Sequence, residues 1–277
     1  MKTNDSPPRY TGSLKGVIFD WAGTVIDYGS CAPAAAFVQV FGDDGVEITT
    51  AEAREPMGMA KRTHIATILE MPAVRTRWQK AHGSPPEEAD IERLYGEFIP
   101  TQLGCLQEHS QLIPGTVEMI AACRKRGLKI GSSTGYTRAL MDVVMEAATQ
   151  QGFEPDCMLC ADDVTEGRPA PWLCFENARR LGIFPTAAVV KVDDTTVGIE
   201  AGRNAGMWTV GITKSGNLVG ETLADIEQID ANELRRRIDA AEEKMFDAGA
   251  HYAVESVADL TEVLDAIETR LSAGESP

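Results

Sequence analysis

The sequence predicts an α/β fold, a Rossmann-like parallel sheet core with an inserted all-helical cap domain. Short apolar runs alternate with segments of helical periodicity, which is the pattern of parallel strands joined by crossover helices. The first two runs are separated by residues 29–109, a block that is helical throughout and too long to be a crossover. We therefore expect a core built from residues 1–28 and 110–277, with residues 29–109 as the cap domain.

Five predicted strands make up most of the sheet, and each is rich in apolar or β-branched residues. They are residues 16–20, 128–133, 157–161, 187–192 and 208–212. Because ligands of open α/β sheets bind beyond the carboxyl ends of the strands, the polar residues found there should converge on one crevice. These residues are Asp20, Ser133, Thr134, Asp162, Asp163, Asp193 and Asp194.

Helical periodicity fills the cap and much of the remaining core. In the cap we expect helices at residues 34–41, 50–54, 62–70, 74–82 and 87–106. Thr49 and Thr50, followed by Ala51 and Glu52, are typical of a helix start. In the core we expect helices at residues 136–148, 231–246 and 259–271, with a short strand-like piece at 252–255.

Composition excludes several classes of function. The formal net charge of −16 argues against general affinity for nucleic acid or anionic membranes, because both need a basic surface. No apolar run is long enough to span a membrane, and residues 1–13 lack the apolar stretch of a signal peptide, so we expect a disordered lead-in. Six scattered cysteines are then typical of reduced thiols in a cytoplasm, and Cys157 and Cys160 are expected to pack in the core.

Four short motifs at the strand ends point to phosphoryl chemistry. Asp20 presents a carboxylate beside a loop with free backbone N–H groups, although such an aspartate often only caps the next helix. Residues 132–135, Ser-Ser-Thr-Gly, open a helix and suit a phosphate. Asp193 and Asp194 offer hard oxygen ligands for Mg²⁺, and Arg168 places a guanidinium that can bind a phosphoryl oxygen.

These motifs stand in the order found in the haloacid dehalogenase superfamily, which the sequence resembles over nearly its whole length. Five segments are similar, more narrowly, to the phosphonoacetaldehyde hydrolases: DWAGTVIDYGS, EPMGMAKRTHI, GSSTGYT, GRPAPWLCFENA and VDDTTVGIEAGRNAGMWTVG. The resemblance implies hydrolysis of phosphonoacetaldehyde to acetaldehyde and phosphate, in 2-aminoethylphosphonate degradation. It also implies a lysine Schiff base, an aspartyl-phosphate intermediate, a Mg²⁺ cofactor and a homodimer.

The resemblance also assigns roles to individual residues. It implies that Asp20 is the nucleophile and Lys61 the Schiff-base lysine. Around that lysine it places His64, Met57 and Tyr136. It implies a phosphate site formed by Thr134, Gly135, Arg168 and Gly58, and a metal site formed by Asp20, Ala22 and Asp194.

Ala22 and Lys61 fit together chemically. Phosphomonoesterases of the superfamily carry a second aspartate two residues after the nucleophile, which protonates the leaving alkoxide. That position is Ala22 here, and it offers only a backbone carbonyl to a metal. A carbon leaving group needs instead a sink for the electron pair of the broken bond, and a protonated imine made by a lysine provides one. A lone lysine on a helix is usually solvated, but Lys61 follows a Pro-Met-Gly turn and shares a helical face with His64.

Some questions stay open at this point. Gly198 stands where the superfamily often has a second carboxylate, so Asp193 supplies that acid or the metal site is leaner. Phe37 and Phe41 suit either a dimer contact or the core of the cap. The alternatives to the implied activity are an ordinary phosphatase or phosphomutase, a haloacid dehalogenase, and a binding module without activity. Ala22 and Lys61 speak against the first of these.

Overall fold

The structure is a computed structural model that describes residues 10–277. Its centre is one sheet of six parallel strands in the order β3-β2-β1-β4-β5-β6. The strands are β1 (Gly16–Phe19), β2 (Lys129–Ser133), β3 (Cys157–Leu159), β4 (Val189–Asp193), β5 (Trp208–Ile212) and β6 (Tyr252–Val254). This is the strand order of a doubly wound Rossmann sheet, so the predicted fold class is confirmed.

Six helices lie between β1 and β2, and we refer to the first five as the cap. They are α1 (Cys31–Asp43), α2 (Thr50–Arg54), α3 (Lys61–Glu70), α4 (Pro72–His82) and α5 (Glu88–Leu106). The core helices are α6 (Thr116–Lys125), α7 (Arg138–Gln150), α8 (Trp172–Leu181), α9 (Thr196–Asn204), α10 (Leu223–Ile226), α11 (Ala231–Asp247) and α12 (Leu260–Ser272). The helix predicted at 136–148 begins two residues later, after the turn at Thr134.

Helices cover both faces of the sheet, and the side chains of β1 pack against the helices on each face. Val17 and Phe19 point into one apolar cluster, which includes buried residues of α6, α7 and α12. Ile18 points the other way, into a second cluster with residues of α8 and α9. Side chains of a strand alternate between faces, so a strand covered on both sides is apolar throughout. That is why the predicted strands appear as continuous apolar runs.

The cap has an apolar core of its own. Its largest buried side chains are Phe37, Phe41, Trp78, Phe98 and Ile65, each at most 1% exposed. α2 begins with a capping box in which Thr49 and Glu52 bond each other's backbone N–H groups. Phe37 and Phe41 therefore belong to the cap core, and they are not available as a contact between two copies of the chain.

The two connections between cap and core run side by side. A bridge pairs Ile26 with Leu112, and the N–H of Asp27 donates to the carbonyl oxygen of Gln111 at 3.1 Å. One carboxylate oxygen of Asp27 accepts from the N–H of Ala32 at the start of α1, and the other lies 3.1 Å from Nδ1 of His109. Asp27 thus ties the first connection to the second.

The predicted lead-in at residues 1–13 is only partly covered, because residues 1–9 lie outside the described part of the chain. Residues 10–13 form neither helix nor strand, but Tyr10 packs against both core clusters, and its hydroxyl donates to the carbonyl oxygen of Ser13 at 2.7 Å. From residue 10 onward, none of the helices is both long enough and apolar enough to cross a membrane.

The placement of Phe41 can be tested directly. Phe41→Ala should lower the free energy of unfolding by about 3–5 kcal/mol, since it leaves a cavity in the cap core. Urea unfolding measures this, and sedimentation should find the mass of the folded protein unchanged. Phe246→Ala is the matched control, because this side chain on α11 is 49% exposed; its effect should stay within about 0.5 kcal/mol. A Phe41→Ala protein with full stability but half the mass would contradict the assignment.

Candidate active site

Three carboxylates meet beyond the ends of β1 and β4. Phe19 lies opposite Val192 in the sheet register, so Asp20, one residue further on, lies beside Asp193. The N–H of Asp20 donates to the carbonyl oxygen of Val192 at 2.9 Å, which fixes the backbone there. Carboxylate oxygens of Asp20, Asp193 and Asp194 all lie within 4.8 Å of one another, and all three side chains are buried.

The acids that follow β3 do not join this group. Asp163 accepts from the N–H of Cys160 at 2.9 Å and pairs with Arg138, while Asp162 accepts from the backbone N–H of Arg138. β3 is the edge strand, and β2 lies between β3 and β1. The distance from β3 to β1 is therefore roughly twice the 4.8 Å spacing of neighbouring strands. The prediction that all the strand-end acids converge was therefore wrong for these two, which organise the start of α7 instead.

Asp193 is compensated by two cations. Its carboxylate lies 2.7 Å from Nζ of Lys191 and 3.3 Å from a guanidinium nitrogen of Arg168. It also accepts from the N–H and hydroxyl of Thr195, at 3.0 and 2.7 Å. Burial alone would raise the pKa of Asp193, but Arg168 and Lys191 outweigh it and hold that pKa below its usual value. Asp193 is therefore ionised, and its charge is balanced by these two cations.

Gly198 is required by the position of Asp193. A Cβ atom at residue 198 would overlap the carboxyl group of Asp193. The volume in which a side chain at position 198 would begin is thus filled by Asp193, which bonds to Arg168 and Lys191. This explains why position 198 carries no acid; that Asp193 serves as the second acid of a metal site stays a prediction.

Asp194 lies beside the carboxylates of Asp20 and Asp193, and no cation within residues 10–277 forms an ion pair with Asp194. Its oxygens accept from the N–H of Asn217 at 2.8 Å and from the hydroxyl of Thr24 at 3.3 Å. Burial, and then the charges of Asp20 and Asp193, raise its pKa well above the usual value. Two hard carboxylates in this situation fit a divalent cation. Asp20 and Asp194 would hold it, together with the backbone carbonyl of Ala22, which lines a cavity beside Asp20.

Arg168 connects Asp20 to the loop that opens α7. One of its guanidinium nitrogens donates both to Asp20 and to the carbonyl oxygen of Ser133. The hydroxyl of Thr134 accepts from the N–H of Tyr136 at 3.1 Å and so shapes the turn around Gly135. Burial first raises the pKa of Asp20 and the nearby Arg168 opposes that rise, but the net pKa remains above its usual value.

Lys61, the first residue of α3, is buried among aromatic rings. Its Nζ lies 4.8 Å from the ring centre of Tyr136, 5.3 Å from that of Phe37 and 5.6 Å from that of Phe98. Burial lowers the pKa of Lys61 to about 7, although the charge of Asp20 opposes this shift. Near neutral pH, a substantial fraction of this amine is therefore unprotonated and nucleophilic.

His64 and Tyr136 each bury a polar atom without a protein partner among residues 10–277. Nε2 of His64 lies 2.8 Å from the carbonyl oxygen of Ala53, so Nε2 carries the proton and Nδ1 has a free lone pair. The ring stacks on Phe37 with centres 3.8 Å apart. Burial, and then the charge of Lys61, hold the pKa of His64 well below its usual value. The hydroxyl of Tyr136 is likewise unpartnered, so neither group bonds directly to Lys61.

Core and cap together enclose a small cavity of about 20 Å³. It is lined by Asp20, Ala22, Ser30, Pro33, Met57, Gly58, Met59, Lys61, Thr134, Gly135, Tyr136, Arg168 and Thr195. Of the residues predicted for the site, only His64 and Asp194 lie outside this lining. Sequence reasoning missed Ser30, Pro33, Met59 and Thr195; the last two are direct neighbours of predicted residues, whereas Ser30 and Pro33 gave no signal. Since a single water needs at least about 10–15 Å³, there is room here for little more than that.

The loop before α3 sits directly on the core. Gly58 has a φ of 92°, and a Cβ atom there would overlap the hydroxyl of Thr195. A Cβ atom at Gly135 would come within 2.5 Å of the carbonyl oxygen of Met59. A side chain at either position would push the cap away from the core, so both glycines allow the close approach that buries Lys61.

Comparison with known proteins agrees with this geometry. A family model for haloacid dehalogenase-like hydrolases matches residues 14–206. A phosphonoacetaldehyde hydrolase from Paraburkholderia xenovorans is 46% identical over 95% of this chain and 99% of its own length. One from Bacillus cereus is 43% identical over 92% of this chain and 97% of its own. The crystal structure of a phosphonoacetaldehyde hydrolase-like protein from Oleispira antarctica superposes with a TM-score of 0.96 at 40% identity, covering 100% of both chains.

Burial of Lys61 predicts a pH-dependent effect on stability. The pKa is near 7 in the folded protein and near 10.5 when unfolded, so the charge opposes folding below pH 10.5 and does so fully below pH 7. Lys61→Met should therefore raise the free energy of unfolding by about 1–4 kcal/mol at pH 6, with a smaller gain at pH 9.

Urea unfolding at the two pH values measures this difference. The control is Lys80→Met on α4, where the side chain is exposed and the effect should not depend on pH. A Lys61→Met protein that is less stable than wild type at pH 6 would show that the lysine is not held as a buried, destabilised cation.

Proposed function

The chain belongs to the haloacid dehalogenase-like hydrolases and, among them, to the phosphonoacetaldehyde hydrolases, and from this premise we propose how its residues cleave a carbon–phosphorus bond. The reaction converts phosphonoacetaldehyde and water to acetaldehyde and phosphate. The observation that supports the proposal most directly is the burial of an amine with a pKa of about 7 in the same cavity as Asp20 and Arg168.

Lys61 begins the reaction. Its unprotonated amine adds to the aldehyde carbon, and loss of water leaves an imine that is protonated on nitrogen. A carboxylate oxygen of Asp20 then attacks phosphorus as the carbon–phosphorus bond breaks. The electron pair of that bond moves into the iminium and gives an enamine, so no acid is needed at Ala22. Protonation at carbon and hydrolysis of the resulting imine release acetaldehyde, and water then frees phosphate from Asp20.

His64 and Tyr136 complete the surroundings of the amine. Because the proton of His64 is held on Nε2 by Ala53, its Nδ1 is free to accept a proton or to bind a water near Lys61. The hydroxyl of Tyr136 is free in the same way. We propose that these two atoms move protons during imine formation and hydrolysis, with Met57 packing against the carbon atoms that react.

The phosphoryl group is bound by local charge and by backbone groups. Arg168 provides a buried guanidinium, and the turn at Thr134 and Gly135 opens α7, where N–H groups suit an anion. The backbone of Gly58 approaches from the cap. Few positive groups are needed, so a protein with a net charge of −16 can still bind a dianion.

We propose Mg²⁺ as the cation at Asp20, Asp194 and the carbonyl of Ala22. Hard oxygen ligands and a phosphoryl substrate are typical of magnesium sites. When bound, the ion would neutralise charge on the phosphoryl group and on Asp20. Asp193 keeps its bonds to Arg168 and Lys191, and so sets the charge and orientation of Arg168.

The small cavity supports a cap that moves. A cavity of about 20 Å³ is too small for phosphonoacetaldehyde, so the substrate must enter while the cap is raised. We propose residues 29–109 as the moving domain, between core parts 1–28 and 110–277. We also propose a cytoplasmic homodimer; the sedimentation measurement described for Phe41→Ala reports its mass, which should equal that of two chains.

Trapping with borohydride tests the division of labour between Lys61 and Asp20. With phosphonoacetaldehyde present, borohydride should attach the carbon fragment to Lys61 in wild type. It should also do so in Asp20→Ala, where the attached fragment should keep its phosphonate group because the bond cannot break. Lys61→Arg should resist trapping and lose about 10³-fold or more in kcat, since a guanidinium forms no imine.

Mass spectrometry of the peptide that contains residue 61 measures the attachment, and phosphate release measures turnover. Lys80→Arg serves as the control and should behave as wild type. Near wild-type turnover by Lys61→Arg would show that Lys61 is only a charged residue of the cap. The chain would then act on a substrate other than phosphonoacetaldehyde.

Metal removal tests the proposed ion. Chelation should abolish turnover, and added Mg²⁺ should restore it. Asp194→Ala should lower kcat by about 10²-fold or more at saturating Mg²⁺, because it removes one of two side-chain ligands. Asp162→Ala removes an acid of the same charge that lies outside the cluster, and it should leave Mg²⁺ dependence unchanged. Full activity of Asp194→Ala after chelation would exclude this site.

A further inference from the structure

Arg54, the last residue of α2, reaches from the cap into the core. Its guanidinium donates to the carbonyl oxygens of Gly29 at 2.7 Å, Ser30 at 3.2 Å and Gly220 at 2.9 Å. It also donates to the side-chain oxygen of Asn217 at 3.0 Å. These acceptors lie on the first connection to the cap and on the core loop after β5. One side chain therefore joins three parts of the molecule.

Asn217 returns the contact and extends it. Its side-chain amide donates to the backbone carbonyl oxygen of Arg54 at 3.2 Å, so the two residues bond in both directions. Its backbone N–H donates to a carboxylate oxygen of Asp194 at 2.8 Å. Asn217 is only 4% exposed. A single core residue thus contacts both the cap, through Arg54, and the carboxylate proposed to hold the metal.

The chemistry of Arg54 suits a directional contact rather than an ion pair. No ion pair within residues 10–277 includes Arg54, whereas the neighbouring acid on α2, Glu52, pairs with Arg77. The acceptors around Arg54 are neutral oxygens at several angles, which match the fixed fork of a guanidinium. A lysine has a single nitrogen and cannot reach the same set. The contact therefore requires an arginine and forms at only one position of the cap relative to the core.

We propose that Arg54 and Asn217 are positioning residues that couple closure of the cap to the orientation of Asp194. When the cap is seated, Arg54 holds residues 217–220, and the N–H of Asn217 holds the carboxylate. When the cap lifts, Arg54 leaves with it and this support is lost. Coupling between two sites is reciprocal, so binding of the cation should in turn favour closure. The inference rests on the proposed metal site, and goes beyond it by assigning a route from cap to metal.

Binding of Mg²⁺ alone, measured by calorimetry, tests the coupling without turnover. Arg54→Lys and Asn217→Ala should each weaken Mg²⁺ binding by about five- to a hundredfold. The double variant should be little weaker than either single one, because both substitutions break the same link. Arg77→Ala is the matched control: it removes a cap arginine that bonds only within the cap, and Mg²⁺ affinity should not change.

Hydrogen exchange of the wild-type chain provides a second readout. Mg²⁺ should slow exchange of the backbone amides of residues 215–220 and of the connection at 27–31 together. Arg54→Lys should abolish this joint protection, and its cooperative thermal unfolding should show that the variant is still folded. In steady state, Arg54→Lys should lower kcat, and raising Mg²⁺ should recover part of the loss.

Unchanged Mg²⁺ affinity in Arg54→Lys would overturn the coupling. So would Mg²⁺-dependent protection of residues 215–220 that is not accompanied by protection of the connection at 27–31. Absence of Mg²⁺ binding to wild type would overturn it as well. None of these three results would bear on imine formation at Lys61, which borohydride trapping reports separately.

Discussion

Three buried carboxylates at the ends of two neighbouring strands repel one another, and the arrangement of the site follows from that repulsion. Charges only a few ångströms apart in a poorly hydrated interior cannot all persist without compensation. Lys191 and Arg168 compensate the charge of Asp193. Asp20 shares Arg168, and Asp194 receives only neutral donors. The charge that remains uncompensated is where a divalent cation fits.

The cap contributes the opposite kind of environment. Around Lys61 there are aromatic rings rather than carboxylates, and the loss of hydration outweighs the attraction of Asp20 in setting its pKa. The core thus keeps Asp193 ionised by pairing it with two cations, while burial in the cap lowers the pKa of the Lys61 amine. Each half alone has only part of the proposed chemistry, because the proposed nucleophile, Asp20, belongs to the core and the Lys61 amine to the cap.

Local sequence patterns predicted the sheet, the helices and the strand-end residues of the site, because periodicity and strand-end motifs are short-range features. The lining residues that belong to the cap, such as Met57, Gly58 and Lys61, were implied by the family resemblance. The failures involve partners that are distant in sequence. Lys191 looked like part of an apolar strand, and nothing near it reveals that it balances Asp193. Asp162 and Asp163 have the right strand-end position, but on an edge strand too far from the others. The bonds between Arg54 and Asn217, 163 residues apart, depend on how cap and core meet. Sequence periodicity cannot predict how the cap packs against the core.

If the cap opens as proposed, an amine whose pKa is lowered by burial would react with aldehydes only after the cap has closed. With the cap raised, water would surround Lys61, its ammonium form would dominate below pH 10, and it would be inert toward carbonyl compounds. Reactivity would appear only around a molecule small enough to be enclosed and anionic enough to engage Arg168. Sugars, ketones and larger aldehydes would thus meet an unreactive side chain. The enzyme would avoid being consumed by the ordinary carbonyl metabolites of its surroundings.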